Sequence, residues 1–126
     1  MKLFVVLGAI NMALAVAIGA FGAHGLEGRV SEKMVDRWAT GAHYHIIHAI
    51  ALVAIGLLIA KFHDQASLLQ TAGWFLFAGI VLFSGSLYTL VVTGVTKLGA
   101  VTPLGGLSFI IGWILVTIAA VKSSTS

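Results

Sequence analysis

Charged residues cut this chain into apolar runs. Four stretches hold no Asp, Glu, Lys or Arg: Leu3–Leu26, Trp38–Ala60, Gln65–Thr96 and Leu98–Val121, of 24, 23, 32 and 24 residues. A helix needs about 20 apolar residues to cross the ~30 Å hydrocarbon layer of a bilayer, so each stretch suffices for one crossing and none for two. Inside hydrocarbon the backbone must satisfy its own hydrogen bonds, which makes each crossing helical whatever its content of Val and Ile. A membrane barrel would need short segments alternating apolar and polar residues, and these runs are continuous. The pattern predicts an all-α integral membrane four-helix bundle, one domain over 1–126, with spans at about 3–23, 40–60, 67–93 and 103–121.

Local signals place the ends. Ser31 has the character of an N-cap, and Glu32 in the turn after it suits the helix dipole. Met34, Val35 and Trp38 share one side of the helix that follows. This short amphipathic segment, between spans one and two, lies at the interface or runs directly into span two, with Gly41 as a possible bend. Asp64 or Ser67 is expected to cap span three, and Gly94 to end it. Thr102-Pro103 reads as an N-cap hydroxyl followed by proline at the first helical position. Lys122 falls in the last turn of span four. Met1-Lys2 and Ala15-Val-Ala17 have the outline of a signal peptide, but the uncharged run continues well past a signal core, so it is read as span one.

Composition sharpens this. The chain is 60% hydrophobic and 9% charged, with a mean hydropathy of +1.09, against about 25% charged residues in an ordinary soluble domain. Too few charges exist to coat a water-soluble globule. The absence of cysteine removes disulfides, thiolate nucleophiles and thiolate metal sites. The net charge of +3 is seven Lys and Arg against four Asp and Glu; the basic residues are spread along the chain and form no basic patch, and no nucleic-acid partner is expected. Four spans put both termini on one side with Lys2, Lys61 and Lys122, opposite Arg29, Lys33, Arg37 and Lys97. The second set is diluted by Glu27, Glu32 and Asp36, and the termini are assigned to the cytoplasm.

Helices in lipid associate through close packing and interhelical hydrogen bonds, not through apolar burial. Span one carries Ala9, Ala13 and Ala17 on one stripe and Ala15, Gly19 and Ala23 on another, which predicts a central helix with more than one neighbour. Span four offers Gly105, Ser108 and Gly112, and span three Ser84-Gly85-Ser86. Asn11 lies inside span one and must find a partner, as a packing clasp.

The chemistry-bearing groups gather toward one side: His24 at the end of span one, His43, Tyr44, His45 and His48 in span two, Ser84, Ser86, Tyr88 and Thr89 in span three, and Thr102 before span four. If these faces point inward, they form a shallow polar vestibule. His24, His45 and His48, with Glu27, could ligate zinc or copper. Ser84 or Ser86 with His48 lacks an orienting acid for hydrolysis. Small residues at Gly22 to Gly25 and at Gly105-Gly106 could support the unwinding that transporters use.

Four motifs then compare with a family. Gly19-Ala-Phe-Gly-Ala-His24-Gly, Tyr44-His-Ile-Ile-His48, Leu82-Phe-Ser-Gly-Ser-Leu-Tyr88 and Thr102-Pro-Leu-Gly-Gly-Leu-Ser-Phe, with Gly112-Trp113, together resemble domain-of-unknown-function family 423 over nearly the whole chain. The resemblance implies four spans, a bacterial plasma membrane and no established activity. At His45 it implies variation among members. His24, His48, Ser84, Ser86 and Tyr88 fall within the matched motifs and, with Tyr44, make the candidate ligand-binding set. The expected function is a non-enzymatic structural or lipid/small-ligand-binding component of the membrane, without catalytic residues, metal or cofactor. Membrane lipid and further copies of the chain are the expected partners. An oligomeric channel or transporter and a histidine-ligated metal protein are the alternatives.

Overall fold

The computed structural model describes residues 2–124. Met1, Thr125 and Ser126, which belong to the expected domain, lie outside the described residues. Helix α1 is Lys2–Gly25, α2 is Glu32–Lys61, and α4 is Thr102–Lys122. Helix α3 spans residues 66–93 in three parts: Ala66–Gly79, a π-helical segment Ile80–Ser84, and Gly85–Thr93. Short 3-10 turns, His63–Gln65 and Thr96–Ala100, lead into α3 and α4. No strand occurs among the described residues. All four helices are long and apolar enough to cross a membrane.

Several ends form as the local chemistry dictates. The Ser31 hydroxyl accepts from the Met34 N–H at 3.3 Å. Gly94 ends α3 in the left-handed region, φ +74°, where a Cβ would be strained. Pro103 occupies the first turn of α4, and Lys122 its last.

Of the two arrangements expected for the segment after Ser31, the second holds: it runs directly into span two and no separate interfacial helix precedes it, since α2 continues unbroken through Gly41 for 30 residues, about 45 Å at 1.5 Å per residue. That exceeds the hydrocarbon layer, so the turns bearing Glu32, Lys33, Asp36 and Arg37 stand in water. Trp38 secures this extension: its indole N–H donates to the Ile18 carbonyl at 2.8 Å, and its ring packs where a Gly22 side chain would lie. Two expectations are corrected. Neither Asp64 nor Ser67 caps α3, whose N-cap, Gln65, makes no side-chain cap bond. Asp64 instead receives the Ser123 hydroxyl at 2.7 Å and the Ser124 N–H at 2.9 Å, because α4 ends beside it. Finally, Thr102 is already inside α4, and its hydroxyl pairs with Ser86 at 2.7 Å rather than capping.

The centre of the bundle is α2, not α1. Half of the α2 span is buried within the protein, against 22% for α1. The outer stripe Ala9, Ala13 and Ala17 is exposed, and of the second stripe Ala15 is buried while Ala23 is exposed. The face of α1 that meets α2 is Gly8, Asn11, Ala15 and Gly22. Small residues lie on both sides of α1, so Asn11 decides the orientation: an amide facing hydrocarbon is costly. Helix α4 packs on α3, where Gly105 lies against the Phe83 backbone and Gly112 against Leu76. The Ser108 hydroxyl donates to the Phe75 carbonyl at 2.6 Å. Phe4, Leu52, Ile55, Leu76 and Phe109 fill the main core.

Candidate functional site

A directed chain of hydrogen bonds joins three helices inside the bundle. The Asn11 amide nitrogen donates to the Leu7 carbonyl at 2.9 Å, one turn back on α1. This fixes the amide: its oxygen faces His45 Nε2 at 3.0 Å. An amide oxygen only accepts, so Nε2 carries the imidazole hydrogen. His45 Nδ1 is then the acceptor for the Tyr88 hydroxyl, also at 3.0 Å. Protons thus point from Tyr88 on α3, through His45 on α2, to Asn11 on α1. The Asn11 amide does not titrate, so the chain ends there, and it ties α1, α2 and α3 together.

Above this chain lies a groove between α1 and α3, of about 460 Å³. Its walls are apolar, with Leu7, Ile10, Leu14 and Ile18 from α1 and Phe77, Ile80 and Val81 from α3. Asn11, His45, Ser84 and Tyr88 supply its polar groups, and no Asp, Glu, Lys or Arg lines it. The π-helical segment shapes the α3 side. Its bond from the Gly85 N–H to the Ile80 carbonyl spans one residue more than an α-helical bond. The wider turn absorbs the extra residue, so the second half of α3 keeps the facing it would have without it, with Ser84 and Tyr88 both toward α2. There the Ser84 hydroxyl donates to the Gly41 carbonyl at 2.7 Å. Gly41 permits the approach, since a Cβ at this position would lie 3.0 Å from the Tyr88 ring. Trp38 backs Tyr88, with ring centroids 4.8 Å apart.

His48 belongs to a second, separate centre. Its Nδ1–H donates to the Tyr44 carbonyl at 2.7 Å, and its Nε2 accepts from the Trp113 indole N–H at 3.1 Å. The ring stacks on Phe109 with centroids 3.5 Å apart. Tyr44 completes the aromatic cluster against Phe83 at 4.6 Å. Although three residues apart on one helix, His45 and His48 are assigned opposite tautomers by their partners.

The residues singled out from sequence are therefore distributed rather than gathered in one vestibule. Tyr88 and Ser84 border the groove. Tyr44 and His48 sit in the aromatic cluster facing α4. Ser86 is closed on Thr102 and on the Phe83 carbonyl. His24 is exposed at the end of α1, thirteen residues beyond Asn11, or about 20 Å of helix. Among the described residues no three His, Cys, Asp or Glu side chains are grouped to hold a metal ion. Both nitrogens of His45 and of His48 are engaged by other partners, so the geometry does not favour the metal alternative.

Asn11 and His45 were not in the candidate set. A signal for Asn11 existed, because a carboxamide in mid-span needs a partner, but nothing in the spacing says that the partner is His45.

The chain matches a family model described as "Protein of unknown function (DUF423)" over residues 18–106. It is 57% identical to the UPF0382 membrane protein YwdK of Bacillus subtilis (strain 168) over 122 residues, covering 97% of this chain and 98% of that protein. The UPF0382 membrane protein SERP0230 of Staphylococcus epidermidis is 49% identical, with the same two coverages. The UPF0382 membrane protein SSP2132 of Staphylococcus saprophyticus is 44% identical, over 97% of this chain and 99% of the relative. No solved structure matches the chain significantly. Four apolar helices of spanning length, a family-model match over most of the chain and near-complete alignment with membrane proteins converge on one conclusion: this is a membrane protein that belongs to the DUF423 family.

Proposed function

We propose that this protein is a non-enzymatic, ligand-binding component of the membrane, and that its ligand is a lipid or small amphiphile lying in the groove between α1 and α3. The observation that carries this reading is the groove itself, whose surface is almost wholly apolar, with the hydrogen-bonded Asn11, His45 and Tyr88 forming its floor. Its volume falls in the range of ligand pockets, about 300–1,000 Å³. The non-enzymatic part rests on how the reactive groups are tied. Ser84 and Ser86 bond to backbone carbonyls and to Thr102, and the partners of His48 are a carbonyl and an indole. None of these bonds pairs a nucleophile with a base and an orienting acid.

Native mass spectrometry of protein extracted in mild detergent tests the proposal. Wild-type protein should retain lipid adducts, and Leu14→Trp, which fills the groove from its α1 wall, should reduce them several-fold. Equal retention by both proteins counts against the groove.

The exposed stripe Ala9, Ala13 and Ala17 on α1 supports the accompanying proposal of a homo-oligomer in which α1 meets a second copy. The chain has no native cysteine, so Ala13→Cys gives a clean disulfide assay. Cross-linked dimers in membranes are expected, and their absence under oxidation removes this arrangement.

A further inference from the structure

We propose that the ligand of this groove is a neutral amphiphile bearing a hydroxyl on an apolar body, and that this hydroxyl donates a hydrogen bond to the Tyr88 phenolic oxygen. The inference rests on the groove reading above and narrows it to one ligand chemistry, shared by diacylglycerols, polyprenols and quinols.

Hydrogen-bond direction is the first argument. The single hydroxyl hydrogen of Tyr88 is committed to His45 Nδ1, and the single imidazole hydrogen of neutral His45 to Asn11 Oδ1. Tyr88 therefore offers the groove lone pairs and no hydrogen. A ligand head that only accepts, such as an ester carbonyl, has nothing to gain from Tyr88; the second N–H of the Asn11 amide, whose first is bonded to the Leu7 carbonyl, is the donor such a head would have to reach. A head that donates completes the chain at its open end, giving ligand O–H to Tyr88, Tyr88 to His45, and His45 to Asn11.

Charge is the second argument. No Lys, Arg, Asp or Glu lines the groove. A phosphate or carboxylate head would have to leave water without a counter-ion, at a cost far above that of a hydroxyl. Depth is the third. The α1 wall runs from Leu7 to Ile18, about 16 Å of helix, centred near the middle of α1. Phospholipid heads stay at the interface, whereas neutral alcohols can reach this depth.

The test uses wild-type protein in phosphatidylcholine nanodiscs and changes the ligand rather than the fold. Dioleoylglycerol, a long-chain polyprenol and a menaquinol are each compared with the fully O-acetylated derivative, in which no hydroxyl donor remains. Binding is read by native mass spectrometry, with Leu14→Trp as the groove-filled control. The expected result is that at least one alcohol is retained in a Leu14→Trp-sensitive manner and that its acetate binds about tenfold more weakly, as loss of a buried hydrogen bond implies. The alcohol that binds most tightly identifies the source. Equal binding of alcohol and acetate overturns the inference while leaving a lipid groove in place. So does a groove occupied by phosphatidylcholine that no alcohol displaces. If no lipid is retained in a Leu14→Trp-sensitive manner, both the inference and the groove reading fall.

Discussion

His45 and His48 show how much a few polar side chains decide when the surrounding solvent is oil. Each imidazole has both nitrogens occupied, and no buried side-chain nitrogen or oxygen among the described residues lacks a partner. Interhelical hydrogen bonds in membranes contribute about 0.6 kcal/mol on average and up to about 1.7. A double-mutant cycle pairing Asn11→Leu with His45→Leu should therefore give a coupling of about 0.5–1.5 kcal/mol by steric-trap unfolding in bilayers. Zero coupling would mean that this bond does not hold α1. Glycines give a second test at this scale. A Cβ at Gly105 meets the Phe83 backbone, which cannot swing away, whereas at Gly106 the nearest atom is a Phe83 ring carbon 3.9 Å off. Gly105→Ala should cost about 1–3 kcal/mol and Gly106→Ala close to nothing in the same assay. Residue types alone announced that Asn11 needs a partner. They did not announce His45, because partner choice depends on how α1 rolls against α2, and small residues on two sides of α1 leave that roll open.

At the scale of elements, α3 is the most informative. Its π-helical turn carries one residue more than an α-helix would, and each residue turns an α-helix by about 100°. Deleting Val81, which is exposed within that turn, should convert α3 to regular helix while Tyr88 still faces His45. Deleting exposed Leu57 from the unbroken α2 should instead misalign the residues after it. Size-exclusion chromatography in detergent should show a monodisperse peak for the first deletion and aggregation for the second. Asp64 ties the α2–α3 turn to the end of α4. The Ser124 N–H, and then the Ser123 hydroxyl, hold its carboxyl at about 2, below the ordinary value of 3.8. A depressed value means stabilisation that is full above the ordinary value, falls as the carboxyl protonates, and is gone below about 2. The difference in melting temperature between wild type and Asp64→Asn should thus be constant from pH 8 to 5 and vanish toward pH 2. A constant difference down to pH 2 would show that the charge is irrelevant. Helix number and approximate ends were legible because charges bracket the apolar runs. The caps at Asp64 and Thr102 were misread because each side chain had a better partner distant in sequence, at Ser123–Ser124 and at Ser86.

For the whole molecule, four crossings put Lys2, Lys122 and the Lys61 turn on one side, and the 26–31 loop and Lys97 on the other. Since no native cysteine interferes, Ser124→Cys and Lys97→Cys should react with a membrane-impermeant maleimide from opposite sides of sealed vesicles; labelling from the same side would remove a crossing. The bundle was legible from composition and run length, since few folds satisfy a backbone in hydrocarbon. The groove was not, because it is a gap between α1 and α3 that appears only once both have packed on α2. Its floor is the account's central claim, and one measurement reaches it directly: nitrogen-15 NMR of histidine-labelled protein in lipid bilayers. The account predicts opposite tautomers on one helix, with the hydrogen on Nε2 of His45 and on Nδ1 of His48, and loss of the His45 Nδ1 hydrogen-bond signature in Tyr88→Phe. Two histidines sharing one tautomer, or a His45 signal indifferent to Tyr88→Phe, would contradict it.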